Sequence, residues 1–494
     1  MECNFFVFYD FVLKFEKVQV ILAMEQTVQT AQTNPFATEK ISKLIARFAI
    51  PSIVSMVVNS LYNIVDQIFI GQGVGYLGNA ATNVAFPLVT ICFAFALLVG
   101  DGCAAFLSLK LGAGDKESAA KGVANAIVML GILGIFFFVM SFALMIPLLK
   151  LFGATENVLP YAIEYTQIII IGLPFVIMST GLNSAIRADG SPKLAMISML
   201  SGAILNTILD PIFILVFHWG VAGAAWATII GQIVGFFIAV FYLRHFKNIQ
   251  LKKSYFKLRW KYIGHVLSLG VSSFITQMAI TVVVVVMNNQ LTYYGAMSTY
   301  GSDIPLSALG IVMKVNSIIL SFFIGLAVGS QPIIGFNYGA KNYHRVKKCY
   351  LIAVGASLVI GVIGFCVFQF APQSVINLFG QENDLYNNFA LMSFRTFLFC
   401  CILNAFQVVS SIFFQAIGKP LRATLLSLSR QIIFLIPAML ILPIFLGLEG
   451  ILYSGPVADT LAFVLALIFI LVEMRHLNKL QSEQESLSEV EVKS

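Results

Sequence analysis

Two carboxylates lie within long apolar stretches of the sequence, and each has an amide side chain on its own predicted helix face. Asp66 follows Asn59 and Tyr62 at steps of three and four residues, and Asp210 follows Asn206 by four residues. Because residues three and four apart are neighbours on a helix, this spacing places each set on one face. An ionisable group in the middle of a bilayer costs roughly 2.5 to 3.5 kcal/mol, so its presence calls for an explanation. Carboxylates with neighbouring amides predict a site for H⁺ or Na⁺, and the alternative is polar contact between packed helices.

The residue after Asp210 is Pro211, which lacks a backbone N–H. A proline inside a helix removes one hydrogen bond, so we expect a kink with free carbonyl groups beside this carboxylate. A site that faces the two sides of a membrane in turn can bind an ion on one side and release it on the other. One charge moving through 100 mV releases roughly 2.3 kcal/mol, which is enough to drive a solute uphill.

Further charged residues fall within or beside the apolar stretches. Lys314, Arg395 and Arg430 lie in the second half of the chain, which has no matching acid at the middle of a stretch. Each is expected to neutralise a carboxylate, to line a cavity or to extend to the membrane surface. Asp101 and Asp459 lie closer to the ends of their stretches and are interpreted as structural. The cysteines are dispersed, so no disulfide framework or metal-ligand spacing is indicated, and no cofactor is expected.

The elements that carry these side chains are predicted to be membrane-spanning helices. Of the 494 residues, 59% are hydrophobic and only 11% are charged, whereas soluble domains have roughly 25% charged residues. Apolar stretches of about twenty residues recur along the chain, and a helix of that length crosses a hydrocarbon core of about 30 Å. We predict an all-α integral membrane protein with twelve spans near residues 44–70, 80–107, 122–148, 161–186, 193–217, 221–243, 262–291, 305–334, 349–371, 386–415, 421–446 and 449–473.

The distribution of Lys and Arg predicts the orientation of the chain. Basic residues concentrate in the N-terminal segment, the even-numbered loops and the C-terminal segment, whereas Lys150 alone lies in the odd-numbered loops. Since short loops rich in Lys and Arg stay in the cytoplasm, both termini are expected on the cytoplasmic side. The formal charge of +7 is therefore attributed to topology, and nucleic-acid binding is not expected.

The two halves of the sequence resemble each other. Gly112-Ala113 recurs as Gly339-Ala340 after 227 positions, and Ala188-x-Gly190-x-Pro192 recurs as Ala416-x-Gly418-x-Pro420 after 228. Six spans per half is an even number, so both halves enter the membrane in the same direction, related by an axis along the membrane normal. We predict an N-terminal extension at 1–40, a first lobe at 41–245, a cytoplasmic linker at 246–261, a second lobe at 262–475 and a polar cytoplasmic tail at 476–494. The extension is expected to be disordered, with the working protein starting at Met24, and the basic linker is interpreted as a solvated loop near anionic lipid.

Several motifs spread over residues 40–475 are specific when they are taken together. They are Pro51, Tyr62-Asn63-x-x-Asp66-x-x-Phe69-x-Gly71, Gly112-Ala113-Gly114-Asp115, Ala185-x-Arg187-Ala188-Asp189-Gly190-x-Pro192-Lys193, Asn206-x-x-x-Asp210-Pro211 and Gln331-Pro332-x-x-Gly335-x-Asn337-Tyr338-Gly339-Ala340. Together they resemble the multidrug and toxic compound extrusion (MATE) family, in its DinF-like and MepA-like bacterial branch. The resemblance implies two six-helix lobes in a V that open alternately, and antiport of lipophilic, mostly cationic organic compounds against H⁺ or Na⁺. It also implies a bacterial inner membrane, and we expect a monomer in contact with membrane lipid.

The same resemblance implies a coupling site in the first lobe. The matching residues, with Tyr62 and Tyr165 nearby, are Asp66, Asn183, Asn206, Asp210 and Thr228. The substrate cavity is expected to include Asn59, Tyr165, Arg187, Gln277 and Lys314. The NorM-like branch carries acids in the second half, whereas here Gln277 stands in the seventh span and Arg395 in the tenth. This departure argues against a cation site in the second lobe.

Other classes of protein remain as alternatives. A lipid-linked oligosaccharide flippase shares the superfamily architecture, but we would expect a cavity rich in Arg and Lys and often more than twelve helices. A membrane enzyme is expected to place a cluster of His, Cys or acidic residues at a membrane face, and the sequence shows none. A receptor does not need duplicated halves. Solute export is therefore the main prediction.

Overall fold

The computed structural model describes residues 35–377 and 384–493. The expected start at Met24 and residues 1–34 of the extension expected to be disordered lie outside the described residues. Disorder up to residue 40 is contradicted at the end of this extension, where Pro35–Thr38 forms a short helix. The described part is almost wholly helical and contains no strand. In the first half the helices are α1 (Pro35–Thr38), α2 (Ile41–Val74), α3 (Tyr76–Gly112), α4 (Lys116–Ala143), α5 (Met145–Leu151), α6 (Leu159–Ala188), α7 (Pro192–Pro211) and α8 (Gly220–Tyr242). In the second half they are α9 (Trp260–Ala296), α10 (Asp303–Gly339), α11 (Tyr343–Phe370), α12 (Pro372–Asn377), α13 (Asp384–Phe397), α14 (Cys401–Ala416), α15 (Pro420–Leu428), α16 (Ile436–Leu446) and α17 (Leu448–Lys493).

The described residues form eleven spans that are long and apolar enough to cross a membrane, and the bent pair α13 and α14 supplies a twelfth. The predicted all-α fold, with twelve spans in two six-helix lobes, is confirmed. The tenth predicted span, at 386–415, is present but broken, since α13 and α14 meet at an angle of 49°. The third predicted span, at 122–148, is likewise interrupted where α4 ends at Ala143 and α5 begins at Met145.

The break in the tenth span comes from a local change in hydrogen bonding. The N–H of Phe399 donates to the carbonyl of Thr396, and the N–H of Cys401 donates to the carbonyl of Leu398, each over 3.2 Å. These bonds join residues three apart and replace the four-residue steps of an α-helix, so the chain turns more tightly here. The sequence concealed this change, because Leu398, Phe399 and Cys400 simply continue an apolar stretch.

The backbone also changes at Pro211, where the sequence predicts a kink. The helix α7 ends at Pro211, and a π-helical segment, Ile212–Val216, continues the same span. The N–H of Phe217 donates to the carbonyl of Ile212 over 2.9 Å. Because proline cannot donate a backbone hydrogen bond, the regular ladder is interrupted, and the wider π-helical turn pairs the backbone again. This irregular turn directly follows Asp210.

The two halves pack against each other through glycines that the repeat relates. A Cβ atom at Gly112 on α3 would overlap the carbonyl of Phe336 on α10, and one at Gly339 on α10 would overlap the carbonyl of Leu109 on α3. Gly112 and Gly339 are 227 positions apart, and so are Leu109 and Phe336. Each contact is therefore the copy of the other, as an axis along the membrane normal requires.

Similar contacts continue toward the centre of the spans. Gly102 of α3 faces the backbone of Val266 on α9, and Gly329 of α10 faces the backbone of Ala49 on α2. Since glycine has no side chain, the helix backbones approach directly at these positions. We call the end of the molecule near Gly112 and Gly339 the basic end, because the loops rich in Lys and Arg lie there. The lobes are closed against each other over the half of the spans nearest the basic end.

Candidate functional site

A cavity of about 300 Å³ lies in the first lobe, bounded by α2, α3, α6, α7 and α8. Among the described residues, Gln277 on α9 is the one lining residue from the second half, and Arg187 is the one charged lining residue. The remaining lining consists of apolar, amide and hydroxyl side chains. The residues predicted from the sequence that line this cavity are Asn59, Tyr62, Asn183, Arg187, Asn206, Thr228 and Gln277.

The predicted coupling residues meet at the edge of this cavity. The Nδ2 atom of Asn206 donates to Oδ1 of Asp210 over 3.2 Å and to Oγ1 of Thr228 over 3.2 Å. The first bond spans one turn of α7, and the second joins α7 to α8. The carboxyl group of Asp66 on α2 lies within hydrogen-bonding reach of that of Asp210. The structure thus brings together four predicted residues from three helices.

Several oxygen atoms around this cluster have no hydrogen-bond donor among the described residues. These buried acceptors are Oδ1 of Asp66, Asn183 and Asn206 and Oδ2 of Asp210. An unpaired buried acceptor costs about 1 to 3 kcal/mol, and more when the group is charged. A proton on one carboxyl group or a cation such as Na⁺ would satisfy these oxygens. The proton turns a carboxyl oxygen into a hydrogen-bond donor, and the cation is coordinated by the oxygens directly. The arrangement can therefore bind H⁺ or Na⁺, with oxygen atoms as the ligands.

The two tyrosines predicted beside the carboxylates have different surroundings. Tyr62 lines the cavity one helical turn before Asp66. Tyr165 does not line the cavity, contrary to the prediction that it contributes to substrate binding. It is buried in an apolar cluster with Ile70 and Ile214, because its position on α6 faces the junction of α2 with the π-helical segment. Its proximity to the carboxylates is thus a matter of packing rather than of access to the cavity.

The charged lining residue, Arg187, is neutralised within the structure. Its guanidinium group lies 3.9 Å from Oδ1 of Asp101 and donates to Oγ of Ser184 over 2.9 Å. The Ser184 hydroxyl in turn donates to Asp101 over 2.8 Å. Both charged side chains are buried, and opposite charges this close largely cancel each other at a distance. The pair therefore adds little net charge to the cavity.

Lys314, Arg395 and Arg430 all lie outside this cavity. Lys314 occupies an exposed position on α10 outside this cavity, so its place in the substrate path stays a prediction, and Arg395 is exposed as well. The span alone could not indicate which way the Lys314 face of α10 points. Arg430 is buried and donates from Nε to Oδ1 of Asp459 over 2.7 Å. Of the predicted alternatives, Arg430 thus neutralises a carboxylate, within the second lobe.

We expect Arg430→Met to destabilise the second lobe strongly. The substitution keeps an apolar side chain but leaves the Asp459 carboxylate buried without its cation, and breaking a buried pair costs about 3 to 5 kcal/mol. Combining Arg430→Met with Asp459→Asn removes both charges and should restore most of the lost stability. Thermal unfolding of the purified protein in detergent measures both effects. An unchanged melting temperature in Arg430→Met alone would contradict the pairing.

Sequence reasoning missed several residues that line the cavity. Gln232 contributes an amide, and Phe86 and Phe93 contribute aromatic rings. A signal existed for Gln232, because Asp459 stands 227 positions later and the repeat relates the two polar positions. No comparable signal distinguishes Phe86 and Phe93 from the many phenylalanines that face lipid.

The MatE family model matches residues 51–212 and 271–440, one segment in each half of the chain. The chain belongs to the MATE family. The multidrug export protein MepA of Staphylococcus haemolyticus (strain JCSC1435) is 26% identical to it over 461 residues, covering 92% of this MATE chain and 98% of that protein. The probable multidrug resistance protein YoeA of Bacillus subtilis (strain 168) is 24% identical over 454 residues, covering 89% and 96%.

Solved structures share the fold of this MATE chain. One, described as the outward-facing conformation of a multidrug resistance MATE family transporter of the MOP superfamily, has a TM-score of 0.83 and 24% identity, covering 92% of this chain and 98% of that one. A MOP superfamily transporter from Pyrococcus furiosus Vc1 (DSM3638) has a TM-score of 0.82 and 23% identity, covering 91% and 98%. At these identities the likeness shows the fold. The family expected from the motifs, in its MepA-like bacterial branch, is confirmed by the family match and the relatives.

Proposed function

We propose that this MATE protein exports lipophilic, mostly cationic organic compounds across a bacterial inner membrane in exchange for H⁺ or Na⁺. The observation that carries the proposal is the pair of Asp66, which is half-buried, and Asp210, which is buried, each with a buried unpaired oxygen atom, beside a cavity lined by their neighbours Tyr62 and Asn206. The names of the relatives, multidrug export protein and probable multidrug resistance protein, support the class of substrate.

Exchange follows if substrate and ion depend on the same negative charge. Two neighbouring carboxyl groups repel each other when both are ionised, and either a coupling ion or a cationic substrate relieves that repulsion. Binding of one therefore weakens binding of the other, typically by 1 to 3 kcal/mol for coupled sites. An ion that arrives from outside displaces the substrate, and its release inside restores the charge that binds the next substrate.

The rest of the cavity suits flat, lipophilic cations. Phe86 and Phe93 offer ring faces, which attract cations through their quadrupoles. Met56 and Met199 offer polarizable side chains that adapt to ligands of different shape. Among the described residues, the lining has no free cation that would repel such a substrate, because Arg187 is paired with Asp101.

The closed contacts at the basic end indicate the direction of access. By the positive-inside rule that end, with both termini, faces the cytoplasm, so the contacts of Gly112 and Gly339 block the cytoplasmic route. In this state the substrate is released to the outside of the cell, and the coupling ion enters the site from the same side. Rocking of one lobe against the other would open these contacts and close the opposite end. One chain supplies both lobes and the whole cavity, which fits a monomer.

The flippase alternative is less well supported by this cavity. A pyrophosphate-linked lipid needs several cationic side chains, whereas the described lining offers Arg187 alone, and that residue is already paired. The two acids at the edge of the cavity would repel a pyrophosphate group.

Transport of a fluorescent organic cation in proteoliposomes tests the proposal directly. Imposing a pH gradient and a Na⁺ gradient separately, each opposed to the substrate, should show accumulation with at least one of them and identify the coupling ion. Liposomes with the Asp66→Asn, Asp210→Asn double variant provide the control. If neither the pH gradient nor the Na⁺ gradient changed the uptake of the organic cation, the antiport proposal would be overturned.

The orientation has its own test in cysteine labelling from outside the cell. In a background without the seven native cysteines, Thr299→Cys lies in the exposed loop between α9 and α10, at the end opposite the basic loops. It should react with an impermeant thiol reagent, whereas Lys252→Cys, exposed in the linker, should react only after the cells are permeabilised. The reverse pattern would overturn the assignment of the basic end to the cytoplasm.

A further inference from the structure

The linker between the lobes, residues 246–261, has basic and aromatic side chains and no acid. Its second part is exposed, with Trp260 84% exposed and Leu258 49% exposed. We call this part the basic-aromatic strip, and its exposed basic and apolar residues are Lys253, Phe256, Lys257, Leu258, Arg259, Trp260 and Lys261. No acidic side chain of the described residues forms an ion pair with its four cations. The strip thus presents unneutralised positive charge beside exposed apolar groups.

The backbone that carries the strip is held in place by two buried polar residues of the first lobe. Near the start of the linker, the Asp189 carboxylate accepts from the N–H of Asn248 over 3.0 Å. Farther along, the amide of Asn125 donates to the carbonyl of Tyr255 over 3.2 Å and accepts from the N–H of Arg259 over 2.8 Å. Asn125 is fully buried. The strip is therefore a fixed surface of the lobe and not the loose solvated loop that its charge alone suggests.

The strip lies at the level of the predicted membrane surface. The ring of Tyr262 packs edge-on against Phe106, with 6.3 Å between centroids, and Phe106 lies near the end of α3. The ammonium group of Lys121, in the first turns of α4, lies 5.5 Å from the centroid of Tyr255. Because α3 ends and α4 begins where the chain leaves the membrane, residues between Tyr255 and Tyr262 lie in the headgroup layer. Tryptophan and basic side chains favour this layer.

We propose that the basic-aromatic strip is a binding site for anionic phospholipid headgroups of the cytoplasmic leaflet. Its four cations complement lipid phosphates, and a Lys or Arg near an anionic leaflet contributes favourably to association. Trp260 and Leu258 lie beside these cations, where an amphipathic ring and an apolar chain can contact the top of the acyl region. This goes beyond export itself, because the strip does not line the cavity.

Another basic segment, at the start of α11 in the second half, is used differently. Arg345 donates to the carbonyls of Phe36 and Glu39 over 3.0 and 2.7 Å. Lys347 donates to Oδ1 of Asn478 over 2.6 Å. These cations bind other parts of the chain, whereas those of the strip have no acidic partner in the part of the chain that the structure describes. Positive charge alone therefore does not explain the strip, and lipid is the partner that matches both its charge and its aromatic residues.

Fluorescence quenching by brominated lipids tests this site. With Trp219→Phe and Trp226→Phe, Trp260 is the only tryptophan of the chain. In vesicles of equal mole fraction, brominated phosphatidylglycerol should quench Trp260 roughly twofold more than brominated phosphatidylcholine, because the cations enrich anionic lipid nearby. Replacing Lys253, Lys257 and Lys261 with Gln should abolish that difference. Soluble glycerol phosphate at millimolar concentration should leave it unchanged.

A charge-matched variant distinguishes lipid binding at the strip from a general effect of positive charge at the basic end. Lys40, Lys193 and Lys348 are exposed at the basic end and away from the strip. Their replacement with Gln changes the net charge by the same amount and should preserve the preference for phosphatidylglycerol. Equal quenching by both lipids in the parent, loss of preference in this control, or competition by glycerol phosphate would each overturn the proposal. None of these outcomes depends on transport. The failure of the lipid-site proposal can therefore be distinguished from the failure of the export proposal.

Discussion

Asp66→Asn is expected to reduce coupled export to the level of cells that lack the protein, with normal folding and membrane insertion. The amide keeps the size and hydrogen bonding of the carboxylate, but it cannot bind and release a proton or provide charge for a cation. Since Asp66 and Asp210 lie within hydrogen-bonding reach, neutralising one also removes the repulsion that drives binding at the other. Drug resistance of cells at matched protein abundance, with initial transport rates against pH and Na⁺, measures the loss.

The control comes from the same cavity. Gln277→Ala removes an amide that cannot titrate, so it should leave the ion dependence of transport unchanged. Asp210→Asn should resemble Asp66→Asn, and the double variant should be little worse than either, because residues that act as a unit are not additive. Full resistance in Asp66→Asn, or loss of ion dependence in Gln277→Ala alone, would move coupling away from this pair.

The contacts between Asn206, Asp210 and Thr228 illustrate what the sequence could predict. A four-residue step within one helix fixes which side chains share a face, so the pairing of Asn206 with Asp210 follows from spacing alone. The partner on α8 did not follow from spacing, and Thr228 was expected only through the family resemblance. Distances between helices depend on how the lobe packs, which no local pattern contains.

Tyr165 and Lys314 show the limit of the same reasoning. Both lie in spans whose existence was predicted, yet neither lines the cavity. Apolar residues cover every side of a membrane helix, so the hydrophobic pattern does not indicate which face meets a neighbour and which meets lipid. The pairing of Arg430 with Asp459 was hidden for a related reason, since it joins helices that are adjacent only in the folded lobe.

The internal repeat was more informative than any single span. In the sequence, Gly112 and Gly339 are simply the matching glycines of a Gly-Ala motif that recurs after 227 positions. In the structure each faces the backbone beside the other, so the repeat anticipates where the lobes touch. A symmetric contact of this kind arises because residues near a two-fold axis lie opposite their own copies.

The contact at Gly112 leads to the second large effect. Gly112→Leu is expected to abolish transport by preventing the lobes from closing at the basic end. Its side chain would overlap the carbonyl of Phe336, and separating two backbones in direct contact costs at least as much as overpacking a core, roughly 1 to 3 kcal/mol. Alternating states differ by only a few kcal/mol, so a penalty of that size shifts their ratio by about five- to 150-fold.

Spin labels at Lys193 in the first lobe and Lys348 in the second, both exposed at the basic end, report this shift as a longer distance between the labels. The matched control is Gly355→Leu, because a Cβ atom at Gly355 meets nothing within 4 Å. This control makes the same substitution in a helix, so it should leave both the distance and the transport rate at parental values. If Gly112→Leu also kept the parental distance while export continued, the glycine contacts would not be the closed gate of the transport cycle. If it lengthened the distance but preserved export, closure at this end would not be required for release, and the alternating-access scheme proposed for this chain would have to be abandoned.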